Sequence, residues 1–141
     1  VKELARVLKP GGILAFSTWP KELFMGKFFK LIESFSQPLP PEVASPVLWG
    51  DMAIIEDRLK DHFDHIEFAR DTMFAPTMSP AHMLKLFEKN AGPLANLVKA
   101  LADDPTKLSN LRNAALVLIE KFFSNNFLRQ DFLMTRCVKK I

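Results

Sequence analysis

Pro10-Gly11-Gly12 separates two kinds of periodicity near the start of the chain, and this break constrains the fold more than any other feature. Ahead of it, Val1, Leu4, Val7 and Leu8 fall at helical spacing, with Lys2, Glu3, Arg6 and Lys9 on the other side. Pro10 stops that helix and disfavours helical geometry at Lys9, while the glycine pair frees the backbone for a reversal. Ile13 to Phe16 then form a short, continuously apolar run that starts straight after the turn. Such a run predicts an interior strand, buried on both faces, in a sheet with helices on each side. The fold class is therefore α/β.

The remainder alternates in the same way. Met25, Phe28, Phe29, Ile32 and Phe35 mark an amphipathic helix over residues 23–36. Residues 37–50 carry Pro38, Pro40, Pro41 and Pro46, too many prolines for a helix or a paired strand, and read as a long loop. Asp51 is a good N-cap for a helix through Met52, Ile55 and Leu59. Residues 65–74 alternate in part and predict a strand. Ser79-Pro80 and Asp104-Pro105 each open a helix, and Gly92-Pro93 separates two more helical stretches. Phe127 to Lys139 is apolar on both faces, with Phe132, Met134 and Val138 on one and Leu133, Thr135 and Cys137 on the other. That pattern predicts a last strand internal to the sheet.

Composition excludes several function classes. The 141 residues are 48% hydrophobic and 25% charged, which argues against disorder. No apolar run approaches the roughly 18 residues of a spanning helix, and the opening lacks the order of a secretory signal. One cysteine, Cys137, cannot form an internal disulfide, so a soluble, cytoplasmic protein is expected. The net charge of +3 comes from the two ends, residues 1–40 and 127–141 each carrying +3 and the middle −3. No basic run with interleaved aromatics is present, so nucleic-acid binding is not expected. His62 and His65 straddle a helix exit and no metal set is expected; Cys137 reads as an inert core thiol. Gly11-Gly12 precedes a strand, the reverse of a phosphate-binding turn, which follows a strand and opens a helix. Thirteen Phe and no Tyr leave no catalytic phenol.

The block Glu3, Arg6, Val7, Leu8, Lys9, Pro10, Gly11, Gly12, Ile13-Leu14-Ala15-Phe16, Ser17-Thr18-Trp19 resembles the join between the helix before the fifth strand and that strand in class I S-adenosylmethionine-dependent methyltransferases. It is most similar to the branch that methylates small molecules. The resemblance implies that the chain is the C-terminal part of a Rossmann-like sheet. Its fifth, sixth and seventh strands would lie at 13–18, 65–74 and 127–139, the last antiparallel between the other two, with a helical insertion at 79–123. The glycine-rich loop, the ribose-binding acid and the fourth-strand motif of the family have no counterpart here. S-adenosylmethionine belongs to the intact family, and this chain alone is expected to bind none. The partner implied is a small-molecule methyl acceptor. Thr18 and Trp19 match the end of the fifth strand, where such sheets place ligands. Trp19 would form part of a substrate wall, closed over by Phe24, Trp49 and the proline loop, although a packing role fits each of these residues too. The alternative is a freestanding, non-enzymatic interaction module that self-associates through the exposed edge at 13–17.

Overall fold

A computed structural model describes residues 1–38, 40 and 43–141 and shows a mixed α/β architecture of six helices and a four-stranded antiparallel sheet. Helix α1 (Lys2–Val7) runs through the Pro-Gly-Gly turn into β1 (Ile13–Thr18). Then come α2 (Phe24–Phe35), a 3-10 turn (Pro46–Gly50) and α3 (Met52–Leu59). Strand β2 (Phe63–Pro76) leads to three helices, α4 (Pro80–Asn90), α5 (Gly92–Ala100) and α6 (Pro105–Glu120). The chain ends in the hairpin β3 (Phe123–Ser124) and β4 (Phe127–Lys139).

The caps explain most boundaries. Asp51 accepts from Ala53 N at 3.1 Å, Ser79 from His82 N at 3.1 Å and Asp104 from Lys107 N at 2.9 Å, each satisfying an amide that the first helical turn leaves unpaired. The proline stretch is shorter as a loop than its composition predicts. Pro46 occupies the first turn of the 3-10 segment, where its missing N–H costs nothing, and Ser45 accepts from Val47 N; Pro41 lies outside the described residues. The hairpin β3–β4 was not expected. Its signal is Asn125-Asn126, with both residues at positive φ (49° and 62°), the backbone of a two-residue type I′ turn.

Strand β4 lies between β1 and β2 and is antiparallel to both, so β1 and β2 run parallel to each other without touching. Its two-faced apolar pattern is thus matched by an internal position. Strand β2 is longer than the predicted 65–74 because pairing with β4 continues from Phe63 to Pro76, past a bulge between Asp64 and Glu67 where His65 takes φ 50°.

Cover is diagonal. On one face Leu14, Phe16, Phe68, Leu133 and Cys137 pack under α1 and α3, with Ala5, Ile55, Leu59 and Phe63. On the other face, at the far end of the ribbon, Leu128 and Ala75 pack into a helical cluster built by α2 and α4 to α6 around Phe24, Phe28, Leu111 and Ile119. The near end of that second face is bare: Ile13 is 54% and Met134 37% exposed, beside a cross-strand ion pair of Arg136 with Glu67 at 3.3 Å. The interior position predicted for residues 13–16 is corrected accordingly. Strand β1 is a rim strand, paired on one side and covered on one face, and its burial alternates residue by residue. Among the described residues no helix is long and apolar enough to cross a membrane.

Candidate functional site

Strand β1 ends at Thr18, and the segment 19–22 that follows is clasped from two directions. A Cβ on Gly50, at the end of the 3-10 turn, would overlap the Trp19 carbonyl, and one on Gly26, in the first turns of α2, would overlap the Pro20 carbonyl. Backbone lies where side chains would otherwise be, so both positions require glycine. This crossing fixes Lys21 and Glu22 at the mouth of a cleft of about 620 Å³ bordered by Gly50, Asp51, Glu56 and Arg70.

Two ion pairs hold the cleft. Lys21 Nζ donates to Asp51 Oδ2 at 2.6 Å, and Arg70 Nη2 donates to Glu22 Oε1 at 2.9 Å. Asp51 therefore caps α3 with one oxygen and binds Lys21 with the other. The hydrogen bond from Lys21 holds the Asp51 carboxyl below its ordinary value and raises Lys21 in turn. Arg70 also borders a second cleft with Leu23, Asp71, Thr72, Arg129 and Asp131. There Thr72 Oγ1 donates to Asp131 Oδ1 at 2.6 Å and Arg129 Nη2 to the same oxygen at 2.7 Å. Burial pushes the Asp131 carboxyl up, but the bonds from Arg129 and Thr72 outweigh it and leave it below the ordinary range. Glu56 in the first cleft and Asp71 in the second belong to no ion pair among the described residues, so the first cleft keeps an excess carboxylate while both offer hydrogen bonds of both senses.

The sequence-derived residues divide. Phe16, two residues before Thr18 on the same sheet face, meets Trp49 edge-on at 5.8 Å between ring centroids. The Arg58 guanidinium also lies over that indole, 4.5 Å from its centroid. Thr18 Oγ1, Arg58 Nη1 and Thr135 Oγ1 are buried with no hydrogen-bond partner among the described residues. Thr18, Trp19 and Trp49 thus gather at one corner, at the carboxyl end of β1. Phe24 does not join them. It is wholly buried in the helical cluster, stacked 5.6 Å from Phe28 and 6.1 Å from Phe87, and Phe122 meets it edge-on at 5.6 Å. It presents no surface to a ligand.

Arg58, Lys21, Glu22 and Arg70 escaped the sequence reading. Lys21 is 30 residues from Asp51 and Glu22 is 48 from Arg70, separations with no local signature. Cys137 is buried, its thiol pushed up by that burial. His82 Nδ1 lies 3.0 Å from Thr77 Oγ1. Among the described residues no group of three His, Cys, Asp or Glu side chains could hold a metal.

No protein-family model matches the chain. It is 25% identical over 133 residues to uncharacterized protein Rv1403c of Mycobacterium tuberculosis, covering 94% of this chain and 48% of that protein. The same figures hold for uncharacterized protein Mb1438c of Mycobacterium bovis. A second M. tuberculosis relative, uncharacterized protein Rv1405c, is 22% identical over 139 residues, 98% of this chain and 51% of its own length. The chain therefore spans about half the length of the curated relatives it matches.

Proposed function

We propose that the chain is the C-terminal part of a class I S-adenosylmethionine-dependent methyltransferase acting on a small molecule. One observation carries this most: the last strand lies antiparallel between two strands that are parallel to each other, and the first of these follows the Glu3 to Gly12 block that resembles the family. The parallel pair would be the fifth and sixth strands and β4 the seventh, with α4 to α6 as the insertion between the last two. The double length of the mycobacterial relatives leaves room for a front half. On this assignment the corner formed by Thr18, Trp19 and Trp49 is the acceptor side.

The residues present do not fit the cofactor itself. The only paired glycines, Gly11 and Gly12, precede β1 instead of following it, and their amides are already bonded to Lys139 O at 3.0 Å and Lys9 O at 2.8 Å. No cofactor-binding role is assigned on this chain. Methyl transfer depends largely on holding two reactants in line, so a site whose carboxylates are held ionised by their cationic neighbours is compatible with it.

Sequencing the reading frame upstream of Val1 tests the assignment. A strand, Gly-x-Gly turn and helix in frame, with methyl transfer from labelled S-adenosylmethionine by the encoded polypeptide, is the expected result. A frame lacking that unit would overturn it, while micromolar binding of S-adenosylmethionine to these 141 residues alone in a calorimetric titration would overturn the expectation that this chain by itself holds no cofactor.

A second role, as an interaction module, is favoured by the edge of β1, which no other described strand pairs, and by the exposed Ile13 on it. An unpaired apolar rim strand is a template for pairing with another chain.

A further inference from the structure

The 3-10 turn separates the charged cleft from a second cavity of opposite character. Its last residue, Gly50, borders the cleft, and its first, Pro46, borders an apolar pocket of about 390 Å³. Phe29, Ile32 and Glu33 of α2, Pro38 and Pro93 complete most of the wall. We propose that this pocket binds a small, neutral, largely apolar molecule that carries one hydroxyl donor.

Size comes first: the volume lies within the ~300–1,000 Å³ of small-molecule sites and is far below what a folded partner would fill. The walls are stiff. Three prolines from three separate segments have φ fixed by their rings, so little backbone freedom is left to lose on binding. Among the described residues Glu33 is the only ionisable group on the wall, and its carboxylate accepts one hydrogen bond, from Ser45 Oγ at 2.5 Å. Ser45 thus shows the chemistry the carboxylate takes here, a neutral hydroxyl donor. The second oxygen can accept another. An anionic ligand would face the carboxylate with no Lys or Arg among the described wall residues to offset it, and a ligand lacking a donor would leave a partly desolvated carboxylate oxygen unmatched. The proposal does not depend on the methyltransferase assignment, since it involves neither the carboxyl end of β1 nor a cofactor.

The test is a titration of the 15N-labelled chain with three probes of one shape: 2-naphthol, 2-methoxynaphthalene and 2-naphthoate. The expected result is saturable amide shifts confined to Phe29–Gln37, Val47 and Leu94 with 2-naphthol, and at least tenfold weaker binding of the other two. Glu33→Leu, on a half-buried helical position, is expected to erase the advantage of 2-naphthol over 2-methoxynaphthalene. Absence of saturable shifts around the pocket would overturn the proposal, as would equal affinity for all three probes in the unaltered chain.

Discussion

The helical cluster and the sheet cluster are built to different degrees of completeness. Around Phe24 and Phe28, four helices and the far end of the ribbon close on one another; these two rings are fully buried, and the half-buried rings of Phe87 and Phe122 pack against them. Around Leu59 and Leu133 the sheet has helices on one face alone. Its other face shows Ile13 and Met134 to solvent, and among the described residues nothing pairs with the outer edge of β1. A closed cluster needs nothing further to bury its apolar surface. An open one leaves hydrophobic area and backbone hydrogen-bonding groups for something else to cover.

Substitutions can break this contrast or sharpen it. Phe24→Ala would empty the centre of the closed cluster and is expected to cost about 3–5 kcal/mol, read as a fall in the urea midpoint. Gly50→Ala would force a methyl against the Trp19 carbonyl, where backbone and not a flexible side chain must give way. A loss of about 1–3 kcal/mol is expected, with the corner holding Thr18 and Trp49 displaced; a neutral effect would show that the crossing is looser than described. Asp131→Asn removes a carboxylate whose folded pKa is lowered. Its contribution is present above the unfolded value near ~3.9 and is lost as pH falls through the folded value. The variant is expected to lose on the order of 1 kcal/mol at neutral pH and to show a flatter acid limb than the parent in denaturation curves from pH 6 to pH 2. Ile13→Lys, on the bare face, is expected to change stability by less than about 0.5 kcal/mol while reducing concentration-dependent association in sedimentation. A large destabilisation there would mean that the face is covered within the chain itself.

The closed cluster was also the part most legible from sequence. Phe28 and Ile32 sit on the stripe predicted for α2, because an amphipathic helix records its buried face locally, and the buried Leu111, Ala115 and Ile119 of α6 repeat at the same helical spacing. Capping residues fixed three helix starts for the same reason. The rim position of β1 was not legible: a run such as Ile13 to Phe16 looks the same whether its second face is covered or bare, and cover is decided by residues far away or in another polypeptide. Thr18, Trp19 and Trp49 could be placed near one another once the strand and the loop were recognised. Phe24 could not be separated from them, since one turn of helix decides whether an aromatic ring faces a cleft or a core. The ion pairs of the cleft join positions tens of residues apart, and only the fold brings them together.

Native-state hydrogen exchange tests the contrast most directly. If the sheet layer is open on one face and along its rim, amides of α1 and β1, residues 2–18, should exchange through a partial opening of lower free energy than those of α2 and α6, which should exchange only with global unfolding. Equal exchange free energies across all these elements would contradict the account.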